Sequence, residues 1–128
     1  MKKIIIVDDE VQITELIKTY LQSRKDSEGN EKFDIKVFHG GHDCIDYLKQ
    51  KNEADLILSD MRMPEGEGMD IIKYLSKENS QVPIFIMTGF SGDYKTEDIL
   101  TSGAKKVFSK PFKFKELIQT IEDYLQVA

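Results

Sequence analysis

Short apolar runs alternating with helix-period stretches constrain this chain more than any other feature. The clearest runs are Ile4-Ile5-Ile6-Val7, Leu56-Ile57-Leu58-Ser59, Ile84-Phe85-Ile86-Met87 and Val107-Phe108-Ser109. A weaker one, residues 34–38, carries Ile35 and Val37 on one face. Near-continuous apolar runs of this length mark strands covered on both sides, the situation of a parallel sheet. Between them lie stripes at helical spacing: Val11, Ile13, Leu16, Ile17, Tyr20 and Leu21, then Cys44, Ile45 and Leu48. Met69, Ile71, Ile72 and Leu75 form a third, and Phe114, Leu117, Ile118, Ile121 and Leu125 the last. Such alternation predicts a doubly wound α/β fold, with helices on both faces of a five-stranded parallel sheet and right-handed crossovers.

The expected strands cover residues 3–8, 34–38, 55–60, 83–88 and 105–109. The expected helices cover 11–24, 42–52, 69–79, 94–102 and 113–126, the fourth resting on a thin apolar face of Ile99 and Leu100. Pro83 suits the start of a strand, where a missing N–H is tolerated. The polar segment 23–32 reads as a surface loop at the sheet edge away from the acidic residues. At 128 residues the chain is long enough for one domain with a real core and too short for two. The expectation is a single domain over 1–128 with no output domain.

Composition excludes several classes. A net charge of −5, with no basic run, argues against a nucleic-acid surface. No apolar stretch approaches the ~20 residues of a membrane span, and the N-terminal run is too short for a signal peptide. A single cysteine, Cys44, precludes a disulfide within the chain and fits a reducing, cytoplasmic setting. Its place in a helical stripe makes it a small buried hydrophobe. His39, His42 and Cys44 lie close in sequence, but three ligands in one short segment with no second cluster make a weak zinc site.

Chemistry concentrates at the ends of the strands. Asp8-Asp9 closes the first run, Asp60 the third, Thr88 the fourth and Lys110 the fifth. In an open parallel sheet the carboxyl ends of the strands are where sites assemble. Three acids, a hydroxyl and an ammonium at one edge suit Mg²⁺ binding and the handling of a phosphoryl group. A carboxylate such as Asp60 can act as a nucleophile toward phosphorus. Most of the barrier in phosphoryl transfer is met by positioning and charge neutralisation. Mg²⁺ is a hard ion that takes carboxylate oxygens, usually few from the protein. Three crowded carboxylates raise one another's pKa unless a cation or Lys110 offsets them. Taken singly, Asp8-Asp9 is an ordinary cap or turn pair.

The elements Ile5-Ile6-Val7-Asp8-Asp9-Glu10, Leu58-Ser59-Asp60-Met61-Arg62-Met63-Pro64, Ile86-Met87-Thr88-Gly89 and Ser109-Lys110-Pro111-Phe112 together resemble the receiver domain of two-component response regulators. The resemblance covers essentially the whole chain. It implies a flavodoxin-like sheet of order 2-1-3-4-5 and a cytoplasmic, bacterial phosphorelay module. Asp60 is then the phosphoacceptor. Asp9, Asp60 and the backbone carbonyl of Arg62 would hold Mg²⁺, with Asp8 assisting and Mn²⁺ able to substitute. Thr88 and the Gly89 N–H would contact the phosphoryl group, and Lys110 would pair with it. The implied donor is a phosphohistidine on a sensor histidine kinase or phosphotransfer protein. The implied output is a partner-binding face formed by helix 4, strand 5 and helix 5, with Tyr94, Lys95, Glu97, Lys105, Lys106 and Lys113 as candidate exposed groups. Such a module promotes its own phosphorylation and dephosphorylation and is not an enzyme on other substrates.

Three departures stand out. Val107 occupies the position, three before the lysine, where the family carries a switching aromatic, and Phe108 should face the other side of the strand. The 23–32 loop is longer than usual. Gly66 stands where a larger apolar residue is common, and Gly66 and Gly68 predict a mobile loop after Asp60. Phe90, two residues past Thr88, could shield the phosphoryl group. Two alternative functions remain: an aspartyl-phosphate phosphohydrolase, whose Asp-x-Asp arrangement after strand one is missing here, and a receiver-like domain that binds partners without phosphorylation.

Overall fold

Burial on both faces is what orders the strands. The computed structural model describes residues 1–89 and 94–126. Its elements are β1 (Lys2–Val7), α1 (Val11–Gln22), β2 (Phe33–Phe38), α2 (Gly41–Lys49), β3 (Leu56–Asp60), α3 (Gly68–Lys77), β4 (Ile84–Thr88), α4 (Thr96–Ser102), β5 (Lys106–Ser109) and α5 (Phe114–Leu125). All strands pair in parallel, in the order β2-β1-β3-β4-β5. Successive side chains along a strand face opposite ways. Ile4, Ile6, Leu56, Leu58, Phe85 and Met87 therefore pack with Ile17 and Leu21 of α1 and Leu117, Ile118 and Ile121 of α5. Ile5, Val7, Ile57, Ile84 and Ile86 pack with Cys44, Leu48, Met69, Ile71, Ile72, Leu75 and Ile99 on α2, α3 and α4. Right-handed crossovers account for most of this division: the chain moves one way from β1 to β2 and the other way from β2 to β5, which puts α1 on one face and α2, α3 and α4 on the other, and α5, after the last strand, packs on the α1 face.

Val107 joins the α2–α4 side and Phe108 the α1–α5 side, as strand alternation requires. Ile99 carries the thin face of α4 alone: it is fully buried, whereas Leu100 is 43% exposed. α2 ends three residues before the expected 52. Lys51 takes a positive φ of 62°, which a right-handed helix does not accommodate, and the Asn52 amide donates to the Tyr47 carbonyl at 2.8 Å.

The 23–32 segment is a built turn. Lys25 and Glu31 form an antiparallel bridge, and the Asp26 carboxylate accepts from the N–H groups of Glu28 and Asn30 at 2.8 and 2.9 Å. Arg24 and Lys32 at its base converge on Glu122 of α5, at 2.7 and 2.9 Å. Glu122 is 5% exposed. Burial opposes its ionisation, but the hydrogen bonds and charges of Arg24 and Lys32 prevail and hold its carboxyl below the usual glutamate range.

Candidate functional site

The order β2-β1-β3 makes the carboxyl end of β1 and β3 the point where the chain turns to opposite sides of the sheet, leaving a crevice there. Asp8 and Asp9 follow β1 and Asp60 ends β3, so both acidic signals open into that crevice. One carboxylate oxygen from each of Asp8, Asp9 and Asp60 lies within 4.8 Å of the others. Asp8 is fully buried, Asp60 is 7% exposed and Asp9 is exposed. Asp8 is locked on both oxygens: Oδ1 accepts from the Glu10 N–H at 2.9 Å, and Oδ2 accepts from Lys110 Nζ at 3.0 Å. Lys110 also lies 3.3 Å from Asp60 Oδ2, while Asp60 Oδ1 accepts from the Met61 N–H at 2.9 Å.

Lys110 reaches the acids because β5 sits beside β4, with Thr88 opposite Ser109 and the Lys110 N–H donating to the Thr88 carbonyl at 2.7 Å. The Lys110-Pro111 bond is cis. Thr88 is half-buried, and its hydroxyl donates to the Gly89 carbonyl at 3.2 Å. Gly89 is exposed, with open space where a Cβ would stand. Glu10 stands at the N-cap of α1, with its carboxylate 3.8 Å from Lys110. Phe90 lies outside the described residues.

Charge balance favours a cation here. Burial pushes the Asp60 carboxyl up to about 6, the Asp8 charge adds to the rise, and Lys110 partly offsets both. Burial likewise opposes the Lys110 charge, but Asp8 and Asp60 together keep its pKa above the ordinary lysine value. One ammonium therefore leaves the cluster short of positive charge. Three hard oxygen donors in reach of one another match what Mg²⁺ takes. The His39-His42-Cys44 group does not gather as a metal cluster, since the acidic trio is the candidate found among the described residues. Cys44 is fully buried, and burial pushes its thiol up to about 12, which leaves it inert.

Two features went unseen in the sequence. The His39 ring, at the end of β2, lies with Nδ1 3.0 Å from the Asp8 carbonyl. A carbonyl only accepts, so in this contact Nδ1 carries the proton. The second is the loop after Asp60. Its glycines permit close approach rather than looseness: a Cβ on Gly68 would stand 2.6 Å from the Asp60 carbonyl oxygen, and one on Gly66 would stand 2.6 Å from the His42 nitrogen. Arg62 follows Met61 in this loop, its Nε 3.1 Å from Glu67 Oε2. Gly68→Ala is expected to cost about 1–3 kcal/mol, because backbone cannot yield as a side chain would. A urea midpoint unchanged from the parent would contradict that packing.

The sequence profile of the response regulator receiver domain matches residues 4–122. The chain belongs to that family. This receiver domain is 30% identical over 125 residues to response regulator SaeR of Staphylococcus aureus strain USA300, covering 98% of the chain and 51% of SaeR. It thus spans about half the length of the curated relatives it matches. The Francisella response regulator 1452 receiver domain superposes with a TM-score of 0.85 at 25% identity, covering 98% of both chains. A CheY-like receiver domain protein from Methanospirillum hungatei JF-1 shares the fold at 21% identity, with a TM-score of 0.82 over 98% of this chain and 94% of that one. The expected order 2-1-3-4-5 and the flavodoxin-like architecture both hold.

On the expected output face, Lys95, Glu97, Lys105, Lys106 and Lys113 are exposed. Tyr94 is the exception, being half-buried with its hydroxyl donating to Glu67 Oε1 at 3.4 Å. Among the described residues no helix is long and apolar enough to cross a membrane.

Proposed function

We propose that this receiver domain accepts a phosphoryl group on Asp60 from the phosphohistidine of a sensor histidine kinase or phosphotransfer protein. The observation that carries the reading is the convergence of Asp8, Asp9, Asp60 and Lys110 within hydrogen-bonding and metal-ligand distances. Family membership supplies the expectation that the donor is a kinase. The Asp60 carboxylate attacks phosphorus, an O–P bond forms, and the P–N bond to the donor imidazole breaks, its electron pair returning to the ring. Bound at Asp8, Asp9, Asp60 and the Arg62 carbonyl, Mg²⁺ (or Mn²⁺) would neutralise charge on the phosphoryl oxygens. Lys110, already poised between Asp8 and Asp60, pairs with the incoming group, and the Thr88 hydroxyl and Gly89 N–H donate to it. Asp8 does not compete as nucleophile, because it is fully buried, whereas Asp60 keeps part of its surface open to the crevice.

The reading extends to output: phosphorylation alters the face of α4, β5 and α5, which binds a downstream protein in the cytoplasm rather than nucleic acid or membrane. Incubation with a small acyl phosphate and Mg²⁺ is expected to add the mass of one phosphoryl group, seen by intact mass spectrometry. No added mass with Mg²⁺, or equal labelling with Mg²⁺ chelated, would refute the reading. Lys110→Ala is expected to slow labelling by at least about tenfold, since a fixed charge on a transferring phosphoryl group is worth several kcal/mol. Stopped samples resolved by mass give that rate.

A further inference from the structure

We propose that α2 is coupled to the phosphoacceptor loop through a joint made of backbone, so that occupancy of the Asp60 site is read on the exposed surface of α2. The inference rests on the site reading above. A helix leaves its first N–H groups without intrahelical partners, and a cap side chain or water usually takes them. Here the N-cap is Gly40, which has no side chain to offer. The loop after Asp60 supplies the acceptors instead. Gly41 N–H donates to the Gly66 carbonyl at 2.8 Å, and His42 N–H donates to the Glu65 carbonyl at 3.0 Å.

Gly40 and Gly41 bring the two segments into close backbone contact. A Cβ on Gly40 would stand 2.7 Å from the Glu65 oxygen, and one on Gly41 would stand 2.7 Å from the Gly66 oxygen. Gly66 adopts φ +100°, which favours glycine, and a Cβ there would stand 2.6 Å from both the His42 backbone nitrogen and its ring Cδ2. The far end of the same loop is tied to the nucleophile. Gly68 N–H donates to the Met61 carbonyl at 3.0 Å, and Met61 N–H donates to Asp60 Oδ1. A Cβ at Gly68 would strike the Asp60 carbonyl. Side chains absorb a small displacement by changing rotamer. Hydrogen-bonded backbone in direct contact passes it on, because close-packed interiors transmit strain. Among the described residues the link from this loop toward α4 is softer, a side-chain hydrogen bond from Tyr94 to Glu67 at 3.4 Å. A shift at Asp60 therefore reaches the first turn of α2, whose exposed groups include His42, Asp43 and Asp46.

Amide hydrogen exchange tests this, read by NMR with and without Mg²⁺ and beryllofluoride, a phosphoryl mimic whose binding ¹⁹F NMR reports separately. With a bound ¹⁹F signal present, the amides of Gly41, His42 and Cys44 are expected to exchange about fivefold slower or more, the effect of modest site-to-site coupling. His42→Pro removes one donor of the joint at a first-turn position that proline tolerates. In that variant the ¹⁹F signal is expected to persist while the response at Cys44 shrinks. A bound ¹⁹F signal with unchanged exchange in α2 overturns the joint and leaves the site reading standing. No bound ¹⁹F signal overturns the site reading and the joint with it. The comparison on the unaltered protein decides the coupling whether or not the variant folds.

Discussion

Asp60→Asn is expected to abolish phosphoryl uptake and, at pH 7 without metal, to make the protein more stable than its parent. The first effect is loss of the nucleophile: an amide does not form an acyl phosphate, and Asp8 is fully buried. The second follows from the electrostatics. Burial and the Asp8 charge lift the Asp60 pKa from 3.8 to about 6. A carboxyl whose folded pKa lies above its unfolded value holds extra protons in the native state. Stability of the metal-free parent therefore falls as pH rises from about 4 through 6. The rise of roughly two units corresponds to about 3 kcal/mol. Burying the uncharged amide returns part of that, so the variant gains about 2 kcal/mol at pH 7. Urea unfolding from pH 4 to 7 checks both the size and the slope, which flattens in the variant. Mg²⁺ should stabilise the parent by ligand linkage and the variant far less. A variant less stable than its parent at pH 7, or one still labelled by acyl phosphate, would contradict this account of the site.

Glu122→Ala is expected to cost about 3 kcal/mol. The carboxylate holds Arg24 and Lys32 across the joint between the 23–32 turn and α5, and Lys32 is itself 10% exposed at its side chain. Removing the acid leaves a nearly buried ammonium without its partner. Because the Glu122 pKa is lowered in the folded state, its contribution is complete above the ordinary value of 4.5 and disappears as pH falls through the folded value. The gap between parent and variant should therefore narrow in acid, and the contribution of Glu122 to the parent grows with pH where that of Asp60 declines. Replacing the pair together, Glu122→Leu with Lys32→Met, is expected to recover most of the loss, since an apolar pair of similar volume tolerates burial. Urea midpoints of the three proteins settle the point. Equal stability of parent and Glu122→Ala would show that the contacts are incidental.

The two predictions differ in how far the sequence announced them. Asp60 ends an apolar run, and buried parallel strands leave a continuous hydrophobic signature whose break is visible in one dimension. The same holds for Asp8, Thr88 and Lys110, each at the close of such a run. Glu122 gave no such mark. It lies four residues after Ile118 beside the apolar stripe of α5, where an acid reads as a solvated flank. Its burial depends on Arg24 and Lys32, about ninety residues away in the chain. The turn that brings those cations together read as a tolerated loop, because local composition reports polarity and not the contacts polarity will make.

Gly66 and Gly68 show the same boundary from the other side. A glycine in a loop is consistent with looseness or with crowding, and the difference lies in what stands where a Cβ would be. For these residues it is the His42 backbone nitrogen and ring, and the Asp60 carbonyl, placed there by the packing of α2 and α3 on one side of the sheet. His39 is similar: only the register that sets Val7 beside Phe38 brings its ring under the Asp8 carbonyl.

The alternation of elements, the parallel sheet and the identity of the acids, hydroxyl and amine at its edge are all legible in one dimension. These are periodic or terminal properties of single segments, set by which side chains must leave water. The tertiary structure alone decided which groups became neighbours across the chain: the three-way contact at Glu122, the tautomer of His39 and the glycine joint at α2. Those depend on distances between segments, and close packing fixes such distances only when the whole core is assembled.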